Sequence, residues 1–468
     1  GGHGPWSVML ASASTLAGPT TSAAFVKVGM GSALVQWSPA GNPLEVTTYT
    51  VVLSTKPVFD LTAAYNVTLS TRPTGGNLMA TVRGLRPGTA YYLYVSARNH
   101  NGIEASYSNL AATSTVGAGP DCMAGYNVRL DGWGDFTSIK EAVSFLPPSL
   151  STFTCIILDK AGTFSEQVDL RNITNNGNIL AVAAPTNFTS TETVVTPPAF
   201  STAAFLIENA SVTLSNLIIV ATNSVPYGVR ASSAYVTLSS VNVVGGVSIY
   251  AAGVSLSSWA TVLYSSVTVQ SAHGFHLAGY GNSISYSTAS AAGANGYALF
   301  LDASVGDTVR EGYFANSVAT AVYLSPGANS NTILRSTMSG GTPAGGQGGT
   351  GLSLSGAYFN NIVLSVMAGG GGGNAKGGGH GLSVQGGSTN TFHQSVMSGG
   401  GGGGSGSDGA PGSAAGGGGG GSNTSGAAAP GTGGHGAYLV AGSSAVFRES
   451  VLGGGGGGGC PGGTVGGS

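Results

Sequence analysis

The sequence predicts an all-β chain, a β-sandwich followed by a parallel β-helix, on three observations. One eight-residue phrase is written nine times between positions 210 and 452, starting at Ala210, Ala234, Ala260, Asn282, Asp307, Asn331, Asn360, Asn390 and Ala445. Its early copies start 22 to 26 residues apart, and a period of that size marks a solenoid. The runs are too short and too rich in Val, Thr and Ser for helices. Upstream, alternating apolar runs at 25–28, 33–37 and 48–53 read as half-buried strands.

Within the phrase, the third position is always apolar: Val212, Val236, Val262, Ile284, Val309, Ile333, Ile362, Phe392 and Phe447. These side chains are expected to stack inward, one coil above the next, about 4.8 Å apart. The sixth position is Ser in eight copies and Gly312 in the other, a small residue suited to a crowded corner. Four copies begin with Asn, which tolerates left-handed backbone, so these Asn are expected to turn the corner.

In chain order, residues 1–18 precede any complete domain. Residues 19–117 carry Trp37, placed to fill a sandwich core, and Leu-Arg-Pro-Gly-Thr-Ala-Tyr at 85–91, followed by alternating Leu93, Val95 and Ala97. This phrase resembles the tyrosine corner of fibronectin type III domains. The resemblance implies a spacer or binding module, not an enzyme. Asn99 to Gly102 supplies a turn before the last strand.

Residues 118–200 are read as the cap and first coils. Asp-Gly-Trp-Gly-Asp-Phe-Thr-Ser-Ile-Lys-Glu-Ala-Val at 131–143 and Ile-Ile-Leu-Asp-Lys-Ala-Gly-Thr-Phe-Ser-Glu at 156–166 resemble the entry of pectin methylesterases and other pectin-lyase-like proteins. The resemblance implies a right-handed β-helix and is specific for fold, not chemistry. Residues 138–146 read as a short amphipathic helix covering strand edges at the mouth of the solenoid. Cys122 and Cys155 flank that mouth, Cys155 on the first strand, and are expected to form a disulfide in an oxidising compartment, worth roughly 3 kcal/mol. Cys460 is left over. The solenoid proper is assigned to 201–468.

From about Gly340 the loops become glycine tracts, and the spacing between phrases stretches to 55 residues. Such tracts are either flexible linkers or packed extended rods. Because successive coils extrude them from the same corner, packed rods are expected, against glycine's large ordering entropy.

Charged residues make up 7% of the chain and the net charge is −2, which argues against nucleic-acid partners. No apolar run of about 18 residues is present to span a membrane. The chain starts with Gly, not Met, and reads as a processed protein or a fragment. A methylesterase-like enzyme needs two carboxylates, glutamines and an Arg on neighbouring coils, yet positions 210–300 hold no Asp and Arg230 as the one Arg. Gly-His-Gly occurs at 2–4, 379–381 and 434–436, as in polygalacturonases, but without the carboxyl pair that a glycosidase requires. His380 and His435 are expected to be polar corner residues hydrogen-bonded to backbone. No catalytic residue, metal or other cofactor is expected.

The late coils open with Gly-Gly-Thr-Gly at 348, Gly-Gly-His-Gly at 378 and again at 433. The chain itself starts Gly1, Gly2, His3, Gly4, Pro5, Trp6, Ser7, Val8, Met9, Leu10, a coil opening with no coil before it. The expectation is an extracellular, cell-surface structural protein, polymerised head to tail by strand donation from residues 1–10 to the last coil of a neighbour. Its partners would be itself and surface glycans. A pectin-lyase-like enzyme acting on polysaccharide and a phage or host-recognition fibre with a glycine-rich tip are the alternatives.

Overall fold

A computed structural model describes residues 15–60, 62, 66–72, 78–117, 122–185, 193–387, 389–404, 409–412, 418 and 431–458. The chain divides into two compact units, one of residues 1–142 with 152–159, the other of 143–151 with 160–468.

In the first unit, seven strands form the sandwich: β1 (Ala23–Val28), β2 (Ser32–Trp37), β3 (Thr48–Ser54), β4 (Asn66–Thr71), β5 (Met79–Arg83), β6 (Ala90–Arg98) and β7 (Ser108–Ser114). They order as β1-β2-β5 and β4-β3-β6-β7, every pairing antiparallel. The expected alternation places Val35, Trp37, Tyr49, Val51, Leu93 and Val95 in one core. Tyr91 Oη accepts the Arg86 N–H at 2.9 Å, which closes the tyrosine corner.

The same unit holds a parallel pair, β8 (Ala124–Val128) and β9 (Thr154–Leu158). Asp135 fastens the sandwich to this pair. Its Oδ2 accepts N–H bonds from Met30 at 3.1 Å, Gly31 at 3.0 Å and Asn127 at 2.8 Å, and the Ser32 hydroxyl donates to Oδ1. The Arg83 guanidinium lies 4.3 Å above the Phe136 ring. A buried carboxylate satisfied by so many donors makes a fixed joint, not a linker. Cys122 and Cys155 are joined by a disulfide with Cα atoms 5.8 Å apart. Cys155 lies on β9, the second parallel strand and not the first, because Ala124–Val128 already pairs beside it. Helix α1 spans Ile139–Ser144, shorter than expected, with Ser138 Oγ accepting the Glu141 N–H as an N-cap at 3.2 Å.

In the second unit, three parallel sheets wind into a β-helix. Sheet I has ten strands from Val168–Arg171 to Ala437–Leu439, and sheet III has eleven from Gly162–Phe164 to Val451–Gly453. Sheet II runs from Leu180–Ala183 to Ala445–Arg448. Each coil visits I, II and III in turn, as in Ala203–Glu208, Ser211–Ser215 and Ile218–Val220. Parallel crossovers of this kind are right-handed.

The pairing corrects the register read from the phrase. Leu238, not Val236, lies beside Val262, while Val212 lies beside Val236. The sheet-II strands Ser211–Ser215 and Tyr235–Ser239 are two residues longer than Thr261–Leu263, which follows them. Side chains alternate with period two, so this difference left the inward face unchanged and invisible in the sequence. Ser215 and Ser239 are accordingly strand residues and not corner residues.

The corners also differ from expectation. Left-handed backbone falls on the residue before the phrase, as at Trp259, Ser330, Phe359 and Thr389, and on a second residue after the sheet-II strand. That second set is Asn216, Ser240, Tyr264, Tyr286, Glu311, Arg335, Leu364, Gln394 and Glu449, with φ between 47° and 59°. Most of these types pay a steric penalty there, so the stack imposes the turn and the residue type does not announce it. The leading Asn residues do something else: they form a buried ladder. Asn331 N–H donates to Asn360 Oδ1 at 3.0 Å, and Asn360 N–H to Asn390 Oδ1 at 3.1 Å. Each Nδ2 donates to the next Oδ1 at 3.0 Å. A serine ladder runs beside it, with Ser336 N–H donating to Ser365 Oγ and Ser365 N–H to Ser395 Oγ, both at 3.2 Å. The amides and hydroxyls of these ladders thus sit inside the coil paired with one another.

Candidate functional site

Beyond Gly340 every excursion leaves sheet III and returns to sheet I. Among the described residues the excursions are packed rods, joined mostly by backbone hydrogen bonds, with one side-chain bond from Gly371 N–H to Thr342 Oγ1 at 2.9 Å. Gly349 N–H donates to Gly341 O, Gly370 to Gly349, Gly379 to Gly370, Gly400 to Gly379, Gly434 to Gly400 and Gly455 to Gly434, at 2.7–2.9 Å. A side chain at these positions would collide with a neighbouring rod: a Cβ on Gly379 meets the Gly349 carbonyl, and one on Gly378 meets that of Gly400. Glycine's lack of a Cβ is therefore the packing requirement, and paired backbone groups offset its entropy.

The rods end beside an aromatic stack. His380 and His435 rings stack at 5.2 Å and Tyr438 covers His380 at 4.6 Å. His380 Nδ1 accepts the His435 N–H at 3.1 Å, so this nitrogen is occupied by backbone. Burial, then neighbouring His435, lowers the His380 pKa, which keeps the ring neutral and able to accept.

The last coil is built like those before it and is covered differently. Val384, Phe392 and Met397 are buried at 0% exposure, whereas Leu439 and Leu452, the partners of Val384 and Met397, are 40% and 48% exposed. Phe447 stacks on Phe392 at 5.2 Å. Among the described residues no further coil stacks on Leu439 and Leu452. The expected donor strand, Gly1 to Leu10, lies outside the described residues, as does Cys460.

Two polar clusters escaped the sequence reading. On the outer face of sheet I, Gln167 Nε2 donates to Asp169 Oδ1 at 2.8 Å. Arg171 bridges Asp169 at 3.1 Å and Glu208 at 4.0 Å. Asp169 and Arg171 lie upstream of the repeated phrase, and only the stacking of coils brings Glu208 beside them. Further along, Ser255 Oγ lies 3.2 Å from His276 Nδ1, and His276 Nε2 lies 3.3 Å from Asp302 Oδ2. The three are 21 and 26 residues apart, a juxtaposition that only the coil register creates. The N–H groups of the strands beside His276 are used in the parallel ladder and so do not supply an oxyanion hole. Next to it, burial and then His276 lower the His273 pKa to about 4.

A family model for the fibronectin type III domain matches residues 18–113. Among solved structures, the fibronectin type III domain of human fibronectin type III domain containing protein 3 is 25% identical, covering 23% of this chain and 95% of that one, with a TM-score of 0.19. The pectate lyase Pel9A is 15% identical over 53% of this chain and 71% of that chain, with a TM-score of 0.36. A GH87 α-1,3-glucanase catalytic domain, solved with tetrasaccharides, is 11% identical over 90% and 88%, with a TM-score of 0.37. The search of curated proteins gave no match.

Proposed function

We propose that this chain is a non-catalytic structural subunit of an extracellular filament, assembled head to tail when residues 1–10 of one copy add a strand to the last coil of the next. The observation that carries the reading is the open end face: Leu439 and Leu452 are exposed where their partners one coil earlier are not. An uncovered stack with free strand edges aggregates unless something pairs with it, and a non-closing head-to-tail contact produces a filament. Residues 1–10 repeat the coil-opening phrase, which makes them the fitting donor. The Cys122–Cys155 disulfide supports an oxidising, cell-surface location. The joint around Asp135 suits a load-bearing spacer. Surface glycans remain partners in this reading. The groove of 380 Å³ beside His380 and Tyr438, lined by Thr350, Ser353 and Ser383, is where they would rest.

Deleting Gly1 to Leu10 tests it. The truncated chain is expected to be a folded monomer by sedimentation and to leave no filaments in negative-stain images; filaments of normal length would overturn the reading.

The Gln167, Asp169, Arg171 and Glu208 cluster favours a second reading, a polysaccharide-active enzyme. Arg171 neutralises both carboxylates, and we infer that the cluster is structural. Methanol or sugar release from pectin that disappears in Asp169→Asn would establish the enzyme instead.

A further inference from the structure

The rods and coil openings follow a strict pattern, and that pattern breaks off at an identifiable set of atoms. In each late coil the second glycine of the opening phrase donates back to the rod that precedes it: Gly349 to Gly341, Gly379 to Gly370, Gly434 to Gly400. The rod that leaves the last coil presents Gly455 O at the corresponding position, and among the described residues no donor follows it. The fourth and fifth residues donate forward. Gly351 N–H reaches His380 O at 3.0 Å, Gly381 reaches His435 O at 2.9 Å, and Leu382 reaches Gly436 O at 2.9 Å. The same N–H groups of Gly436 and Ala437 have no following acceptor among the described residues. The third position carries the ring stack that starts at His380 and stops at His435.

We propose that the junction between copies is a continuation of the glycine-rod lattice as well as of the sheet, in one register: Gly2 of the incoming copy donates to Gly455 O. This deepens the filament reading and rests on it. In that register His3 N–H donates to His435 Nδ1, repeating the His435-to-His380 bond, and its ring extends the stack. His3 O and Gly4 O accept from Gly436 and Ala437. Trp6 falls in the row of Ser353, Ser383 and Tyr438 and covers Tyr438, which is 41% exposed. Pro5 falls in the row of Leu352, Leu382 and Ala437. In that row a residue's own N–H is used only to bond the coil beyond. A donated strand has no coil beyond, so proline's missing N–H is harmless there and marks the strand as terminal.

The register separates two adjacent glycines. A Cβ on the second glycine of a phrase strikes the coil before it: Gly379 meets Gly349 O and Gly434 meets Gly379 O. A Cβ on the first glycine strikes the rod leaving its own coil: Gly378 meets Gly400 O and Gly433 meets Gly455 O. In the proposed register a methyl group on Gly2 strikes Gly434 O of the last coil, whereas one on Gly1 points away from that coil, so Gly1 is expected to accept a methyl group and Gly2 is not.

Full-length Gly1→Ala, Gly2→Ala and wild-type chains are compared by the critical concentration for filament formation, with synthetic decapeptides of residues 1–10 as competitors. Gly1→Ala is expected to polymerise as wild type, and Gly2→Ala to require at least about tenfold higher concentration. The wild-type decapeptide is expected to block assembly, and the Gly2→Ala decapeptide to fail to block it. If Gly2→Ala assembles normally while deletion of residues 1–10 abolishes assembly, strand donation stands and the glycine register is wrong. If the deletion itself leaves filaments intact, the filament reading beneath it falls.

Discussion

Coils between Ala203 and Ser339 and coils beyond Gly340 solve one problem in opposite ways. Both must hold successive turns in register with almost no charge. The early coils do it with side chains: the row Leu238, Val262, Ile284, Val309, Ile333 is at most 1% exposed, and the polar ladders beside it fix which turn stacks on which. The glycine runs of the late rods have no side chains to interlock. Their register comes from carbonyls and N–H groups spaced closely enough that any Cβ is excluded. A side-chain stack tolerates a change of size by local repacking; a backbone lattice has nothing that can move aside.

The comparison can be broken from either side. Phe314→Ala removes a fully buried ring from the apolar stack and is expected to cost about 4 kcal/mol. Hydrogen-exchange mass spectrometry should show lost protection spreading through the adjacent coils, since solenoid repeats are stabilised by their neighbours. Gly379→Ala adds a single methyl group and is expected to cost about 3 kcal/mol, with lost protection confined to the rods around Gly349 and Gly370. If the same methyl is tolerated without loss of protection, the rods are not packed as a lattice.

What the sequence revealed follows the same division. Apolar third positions were legible because β-branched residues at period two declare an inward face, and the tyrosine corner because its residues are contiguous. The two-residue difference in strand length at Ser211–Ser215 was not, since a shift by two leaves every side chain on the same face. The left-handed residues were hidden because Tyr264, Arg335 and Leu364 have no preference for that backbone. The row of Ser255, His276 and Asp302 depends on three separate coils. Packing of the glycine tracts was inferable from their common corner of origin, but not the bonds of each rod.

The smallest expected effect sharpens the side-chain half of the comparison at the one acid of the Asn ladder. Asp307 occupies an Asn position of the ladder and is 1% exposed. Its Oδ1 accepts both Asn282 N–H at 2.7 Å and Asn282 Nδ2 at 3.2 Å, while Oδ2 has only the nearby Ser304 hydroxyl, which is not in good hydrogen-bond geometry. An Asn there would aim an N–H at Asn331 Oδ1, as Asn331 does at Asn360. Burial raises the Asp307 pKa from 3.8 to about 6, against the opposing pull of the Asn282 backbone, the Ser304 hydroxyl and the Asn282 side chain. A carboxyl with a raised folded pKa binds its proton more tightly when folded. The ladder is therefore most stable below about pH 4, loses stability as pH rises to about 6, and carries the full penalty above that. The shift corresponds to at most about 3 kcal/mol, and relaxation of the coil should reduce it to about 2 kcal/mol. Asp307→Asn is expected to stabilise coils 282–331 by that amount at pH 7, and to remove the pH dependence between 4 and 6 from their exchange protection. Equal protection in the two chains at pH 7 would mean that the ladder accommodates a charged carboxylate as readily as an amide. In that case apolar stacking, not the Asn row, sets the register of the early coils.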